Sequence, residues 1–321
     1  MWLTVLLVVV FLVSIFLGRY PKPGFMSLSR LSEDALPRSL VLNLRLPRLL
    51  TAALLGMSLS VAGAVFQMIF GNPLVEPGFL GVSQGASFGA AFSIIFLSNT
   101  AWMVQTSAAV FALLGLGLSY LLARRVRMGG WVLRLVLAGI AVSALFSSGL
   151  GVLKYIADPL SQLPEITFWM LGGLWSITWK KFFFILPAVA IGLLIVYRMR
   201  WRINILSLSD ETAFSLGAAP GRERTLVLVA SVIAVSAVIS VAGMVGWVGL
   251  IIPHIARRIF GADARYVLPA SMLIGATFSI FCDDLGRLLY SGEIPLGILT
   301  SLLGAAIFMI LMMRQTSLVQ K

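Results

Sequence analysis

Apolar runs of membrane length recur along the whole chain, each closed by arginine, proline or glycine. A helix needs roughly 20 apolar residues to cross the hydrocarbon of a bilayer. Ten spans are predicted on this pattern, at 2–18, 48–70, 78–97, 102–123, 131–156, 180–198, 222–242, 244–260, 266–289 and 295–313. The segment 244–260 is short and glycine-rich, the weakest of the ten by hydropathy alone. The first run has no Lys or Arg before it and no small-x-small site after it, so it reads as a transmembrane helix and not as a signal peptide.

Two connections are too long for simple turns. Residues 157–179 mix apolar and polar positions and suggest short interfacial helices, with Trp169, Trp175 and Trp179 near headgroup level. In 199–221, Ser209 stands before Glu211, Thr212 and an apolar run, the pattern of a capped short helix ended by Gly217 and Pro220. Five spans on each side of this midpoint suggest two halves, and an odd number per half makes them inverted in the membrane. The expected fold is an all-α polytopic membrane protein, a single transmembrane domain over 1–321 with the loop 199–221 as its main polar cytoplasmic surface.

Composition agrees. Of 321 residues, 60% are hydrophobic and 11% charged, and the mean hydropathy is +1.01. A globular core could not hide that much apolar surface. The net charge of +12 sits mostly in short loops, where anionic lipid headgroups explain it and nucleic acid is not implied. With the N-terminus inside, Arg124, Arg125, Arg127, Arg134, Arg198, Arg200, Arg202, Arg222, Arg224, Arg257, Arg258, Arg265, Arg314 and Lys321 fall on the cytoplasmic side. Both termini are then cytoplasmic. The first external loop breaks the rule, with Arg19, Lys22, Arg30, Arg38, Arg45 and Arg48. A docking partner would account for it.

Candidate chemistry is sparse. One cysteine, Cys282, and one histidine, His254, fall in different spans, which speaks against a disulfide framework or a Cys/His metal site. No nucleotide-binding or hydrolase motif is present. The acidic residues lie mostly at loops or span ends, so no intramembrane carboxylate relay is evident. Gly81, Gly85 and Gly89 recur every four residues and Gly243, Gly246 and Gly249 every three, which suits close helix packing. The break from Gly71 to Pro77 carries Glu76 between two prolines and reads either as a rigid cytoplasmic turn or as a lip at the inner mouth of a pathway. Asp283 and Asp284 precede Arg287 by four and three residues, the spacing of an ion pair along a helix.

Taken together, RLPR (45–48), GNPLVEPGFLGVSQGASFG (71–89), FWMLGG (168–173), LSDETAFSLGAAP (208–220), GMVGWVGLIIPHIARR (243–258), DDLGR (283–287) and EIPLGILTSLLGAAIF (293–308) resemble the permease subunits of the ATP-binding-cassette importers for vitamin B12, iron–siderophore complexes and haem. The resemblance covers nearly the whole chain. It implies ten helices per subunit, a second permease copy (a homodimer being the simplest case), two cytoplasmic ATPases and one periplasmic or lipid-anchored binding protein, in a bacterial or archaeal inner membrane. ATP and Mg would sit on the ATPase, with no cofactor, catalytic residue or metal on this chain.

By the same resemblance, Arg45, Arg48 and Arg287 dock the binding protein. Ser209, Asp210, Glu211, Thr212, Ala213, Phe214, Leu216 and Gly217 form the ATPase-coupling helix. Asn72, Pro73 and Leu74 belong to the inner gate with Val132 and Leu133, although the stretch before Arg134 departs from the hydroxyl-rich B12 pattern. The implied function is ATP-driven uptake of a metal chelate by alternating access, with an oxyanion such as molybdate or tungstate as the alternative cargo. An ion-driven secondary transporter is the competing class.

Overall fold

The computed structural model describes residues 1–20, 22–27, 35–126 and 129–319. Arg30, Arg127 and Lys321, counted above among the loop charges, lie outside them, as does the side chain of Arg314. Helix α1 (Trp2–Phe16) leads into a short hairpin, β1 (Leu17–Gly18) antiparallel to β2 (Gly24–Phe25). Helix α2 (Ala35–Ile69) is 35 residues long and is wound π-type over Leu40–Arg45. After a 3-10 turn at Pro77–Leu80 come α3 (Val82–Leu97), α4 (Ala101–Arg125), α5 (Trp131–Ile156) and the short α6 (Gln162–Leu171). The chain continues through α7 (Trp179–Leu206), the short α8 (Asp210–Ser215), α9 (Pro220–Ala242), α10 (Val248–Phe260), α11 (Ala264–Leu289) and α12 (Leu296–Val319).

Every predicted span folds as helix, but not all at crossing length. Among the described residues seven helices are long and apolar enough to cross a membrane: α2, α4, α5, α7, α9, α11 and α12. Helices α1, α3 and α10 are shorter. Helix α10 starts four residues later than expected, because Gly243 ends α9 at φ 70° and Trp247 is held at φ 71° just before the new helix. Gly243, Gly246 and Gly249 therefore occupy a cap, a loop and a first turn, and share no helix face. Helix α7 runs to Leu206, past the expected end at 198, carrying Arg200 and Arg202 beyond its apolar stretch.

Packing follows from the small residues. In lipid no hydrophobic force draws helices together, so close backbone approach and interhelical hydrogen bonds must do it. Helix α2 is central, packed by α11, α9, α10 and α7. A Cβ on Gly56 would strike the carbonyl of Gly275 in α11, and the reverse also holds. Ser60 Oγ, one turn on, donates to the Ser271 carbonyl at 2.7 Å. A Cβ on Gly63 would meet the Gly249 carbonyl of α10. On the other flank, Gly85 and Gly89 of α3 face the backbone of α4, where Ser107 Oγ donates to the Gly89 carbonyl at 2.6 Å. The third member of that predicted ladder, Gly81, is instead the left-handed residue (φ 77°) that starts α3.

The two ends of the bundle differ. At one end Trp2 stacks on Phe260 with centroids 6.1 Å apart, placing the start of α1 beside the end of α10. There Asp263 caps α11 and also takes Asn204 Nδ2 at 2.7 Å. The Arg265 guanidinium holds the Asp263 carboxyl well below the usual carboxylate range. At the opposite end α6 lies against the exit of α9: Gly243 sits under the Trp169 carbonyl, and Gly173 N–H donates to the Ala242 carbonyl at 2.7 Å.

Candidate functional site

Among the described residues, three groups gather the side chains that the sequence singled out. The first gathers the three arginines expected to dock a partner. Arg45 and Arg48 on α2 converge with Arg287 on α11 around one cavity that also takes Glu293. Free, exposed charges would suit docking, but these are not free. Arg48 Nε donates to both oxygens of Asp283 at 2.9 and 3.0 Å, and its Nη1 lies 2.8 Å from Glu293. Arg287 Nε lies 3.1 Å from Asp283 Oδ2, an ion-pair contact, while its Nη2 donates to Asp284.

Arg45 Nη1 donates to the Ile15 carbonyl at 2.9 Å, and Arg287 Nη1 to the Leu17 carbonyl at 3.2 Å. These two bonds satisfy backbone acceptors at the C-terminal end of α1. Arg45 is only 8% exposed and Arg287 only 6%. The local Asp283–Arg287 and Asp284–Arg287 pairs follow the sequence spacing. The long-range partner, Arg48, comes from 235 residues away.

The second group is the predicted coupling helix. It forms as α8, with Ser209 as N-cap accepting from Thr212 N–H at 3.3 Å. Gly217, at φ 78°, closes it, and Ala218 N–H returns to the Ala213 carbonyl at 3.0 Å. Ala213 is its buried anchor. Arg224, at the start of α9, is buried beneath it and donates to the carbonyls of Leu206 (2.9 Å) and Leu208 (2.8 Å) and to Asp210. Arg202 makes a two-point bond to Glu223 at 2.6 and 2.8 Å and reaches the Gly217 carbonyl at 3.1 Å. Sequence reading found the cap and missed both arginines. With the frame held this way, Glu211 is exposed, and Phe214 and Leu216 project outward at 73% and 57% exposure.

The third group is the turn after α2. Phe70 stacks on Trp131 with centroids 6.4 Å apart, which brings the start of α5, with Val132 and Leu133, to the foot of α2. Asn72 Oδ1 accepts from Leu74 N–H at 2.9 Å and fixes the turn, leaving Pro73 and Leu74 exposed. The chain then folds back into the bundle. A Cβ on Gly249 would lie 3.0 Å from the Leu59 carbonyl and 3.8 Å from the Cβ of Glu76.

Leu59 is ten residues before the end of α2, so Glu76 sits about 15 Å inward from that end. It lines a cavity of 420 Å³ with Ser83, Gln84, Ser143, Phe79 and Met244. Among the described residues its carboxylate has no hydrogen-bond or ion-pair partner. A turn or lip was expected here, and a carboxylate at depth was not. The only sequence hint was an acidic residue locked between two prolines. Among the described residues no group of three His, Cys, Asp or Glu could hold a metal ion.

A protein built in this way is a multi-pass helical membrane permease. The chain belongs to the FecCD transport family, whose model matches residues 6–314. It is 36% identical over 316 residues to the molybdate import system permease protein MolB of Haemophilus influenzae, covering 96% of this chain and 93% of that one. It is 37% identical over 282 residues to the hemin transport system permease protein HmuU of Yersinia pestis, covering 85% and 83%. A solved metal-chelate type ABC transporter in an inward-facing conformation superposes with a TM-score of 0.90 at 36% identity, covering 97% of both chains.

Proposed function

We propose that this chain is the membrane subunit of an ATP-driven importer that carries a metal chelate, of iron–siderophore, haem or cobalamin type, inward by alternating access. The observation that carries the reading is α8, a framed helix at the basic end that holds Phe214, and Leu216 just after it, out from the bundle beside the exposed Glu211. Such a surface suits a protein partner, and an ATPase seated there would move α8 as it closes. The working unit is two permease copies, two ATPases and one binding protein, in an inner membrane. ATP and Mg bind the ATPase.

The binding protein docks at the outer cluster of Arg45, Arg48 and Arg287, its carboxylates competing with the partly exposed Glu293 for Arg48. Asn72, Pro73, Leu74, Val132 and Leu133 form the inner gate. One specific observation favours a second cargo: a relative 36% identical over 316 residues is named as a molybdate permease.

Reconstituted with its ATPase and binding protein in proteoliposomes, the subunit is expected to accumulate an iron chelate, haem or cobalamin only when ATP is supplied. Accumulation driven by an ion gradient without ATP would make it a secondary transporter. Uptake of molybdate with no uptake of chelates would select the second cargo.

Both termini are cytoplasmic in this reading, since the arginine-rich loops cluster at the end that holds Trp2. Reporter fusions after Gly130 and after Gly292 should report inside and outside respectively. The reverse pattern would invert the protein and remove α8 from the ATPase.

A further inference from the structure

The foot of α4 and the starts of α5 and α9 form an open cleft of 740 Å³, lined among others by Tyr120, Arg124, Trp131, Arg134, Arg222 and Thr225. No carboxylate lines it. At the same end of the bundle Arg202, Arg224 and Arg265 each hold an acidic partner, namely Glu223, Asp210 and Asp263. The three arginines of the cleft have none among the described residues. Arg124 lies 5.5 Å from the centre of the Tyr120 ring. Arg134 Nη1 donates to the Val126 carbonyl at 3.1 Å, while its Nε is buried without an acceptor. The first turn of α9 forms one wall, so the positive end of a 23-residue helix adds to the same potential.

Three guanidinium groups without a carboxylate partner, beside two hydroxyls and two aromatic rings, form a donor-rich set. Guanidinium forks match the oxygens of a phosphate-type anion two at a time. The volume suits a group of headgroup size. Exposed Leu226 and Val229 continue the wall outward along α9, where an acyl chain could lie.

We infer that this cleft binds a phosphate-type oxyanion, borne on the headgroup of an anionic phospholipid in the adjoining leaflet or free in solution. The site is separate from α8, from the outer arginine cluster and from the cavity of Glu76, and its occupancy does not depend on which cargo the importer carries.

The test has two arms on the full-length purified subunit. In one, phosphatidylglycerol retention is measured by native mass spectrometry and in nanodiscs of graded phosphatidylglycerol and phosphatidylcholine content. In the other, inorganic phosphate and molybdate are titrated in lipid-free detergent. Saturable binding is expected in at least one arm. Binding of phosphatidylglycerol alone assigns the lipid headgroup, and binding of inorganic phosphate or molybdate assigns the free anion.

Arg124→Gln, Arg134→Gln and Arg222→Gln should each weaken binding about fivefold, and the triple variant should abolish it. Arg134→Lys keeps the charge, loses the fork and should fall between. Arg200→Gln removes a half-buried arginine of the same end, one that rests on Tyr197 and lies outside the cleft, and should change nothing. If the triple variant does not fold, the three single variants carry the test. No saturable binding in either arm, or binding by the Gln variants equal to the parent, overturns the site.

Discussion

Phe214→Ala and Leu216→Ala are expected to leave the subunit folded and to abolish ATP-dependent uptake between them. Neither side chain is covered within the chain, so its loss opens no cavity in the bundle. Burying a side chain of this size against a partner contributes about 1.5–3 kcal/mol. Phe214→Ala alone should therefore weaken association with the ATPase by roughly ten- to a hundredfold. Glu211→Lys, on the exposed first turn, should have a smaller effect of the same kind.

Replacing 210–218 with a glycine–serine linker is the coarser variant, because it also strips buried Arg224 of Asp210. The readout is stimulation of the ATPase by loaded binding protein in proteoliposomes, beside pull-down of the ATPase. Normal stimulation in the double alanine variant would end the coupling role of α8.

The second large effect is on stability. Asp283→Ala should destabilise the fold by up to about 3–5 kcal/mol, since removing the carboxylate that Arg48 and Arg287 share leaves Arg48 with only the partly exposed Glu293 and Arg287 with only Asp284. Asp283→Asn keeps the shape and one accepting oxygen of the two that face the guanidinium groups, and should cost less. Thermal unfolding in detergent measures both, and an unchanged midpoint in Asp283→Ala would show that water already solvates the cluster. The same geometry changes what charge reversal at Arg45, Arg48 and Arg287 reports. With two of the three under a tenth exposed, reversal would break the outer end of the bundle together with any docking site. Arg48, which shares Glu293 at the rim, is the position where Arg48→Lys separates docking from folding.

Much of this was legible in the chain. Long apolar runs mark α2, α4, α5, α7, α9, α11 and α12 because lipid-facing surface requires them. The serine before Asp210 and the glycine after Leu216 mark both ends of α8, because caps act through the residue that makes them. What stayed hidden depends on partners distant in sequence. Nothing near Arg48 announces Asp283, and nothing near Gln67 announces that its amide will bond the Gly249 and Leu250 carbonyls, both at 3.2 Å. Hydropathy also cannot see depth in a polar turn. Asn72–Leu74 and Glu76 read as one loop, yet the first three residues lie at the bundle's foot and Glu76 lies well inside. The late start of α10 was equally hidden, since Trp247 adopts a backbone conformation that its residue type does not favour.

Helix α9 is fastened at both ends, and this has a mechanical consequence. At its start Arg224 ties it to Leu206, Leu208 and Asp210, and so to α8. At its finish Gly243 presses on the Trp169 carbonyl and Ala242 accepts from Gly173, and so it meets α6. Its 23 residues form a rigid strut about 34 Å long, with no loop between the two fastenings. Were a partner to move α8 along that axis, as proposed above, α6 at the opposite end would be displaced by nearly the same amount, and the stiffness of one helix would keep the two ends in step.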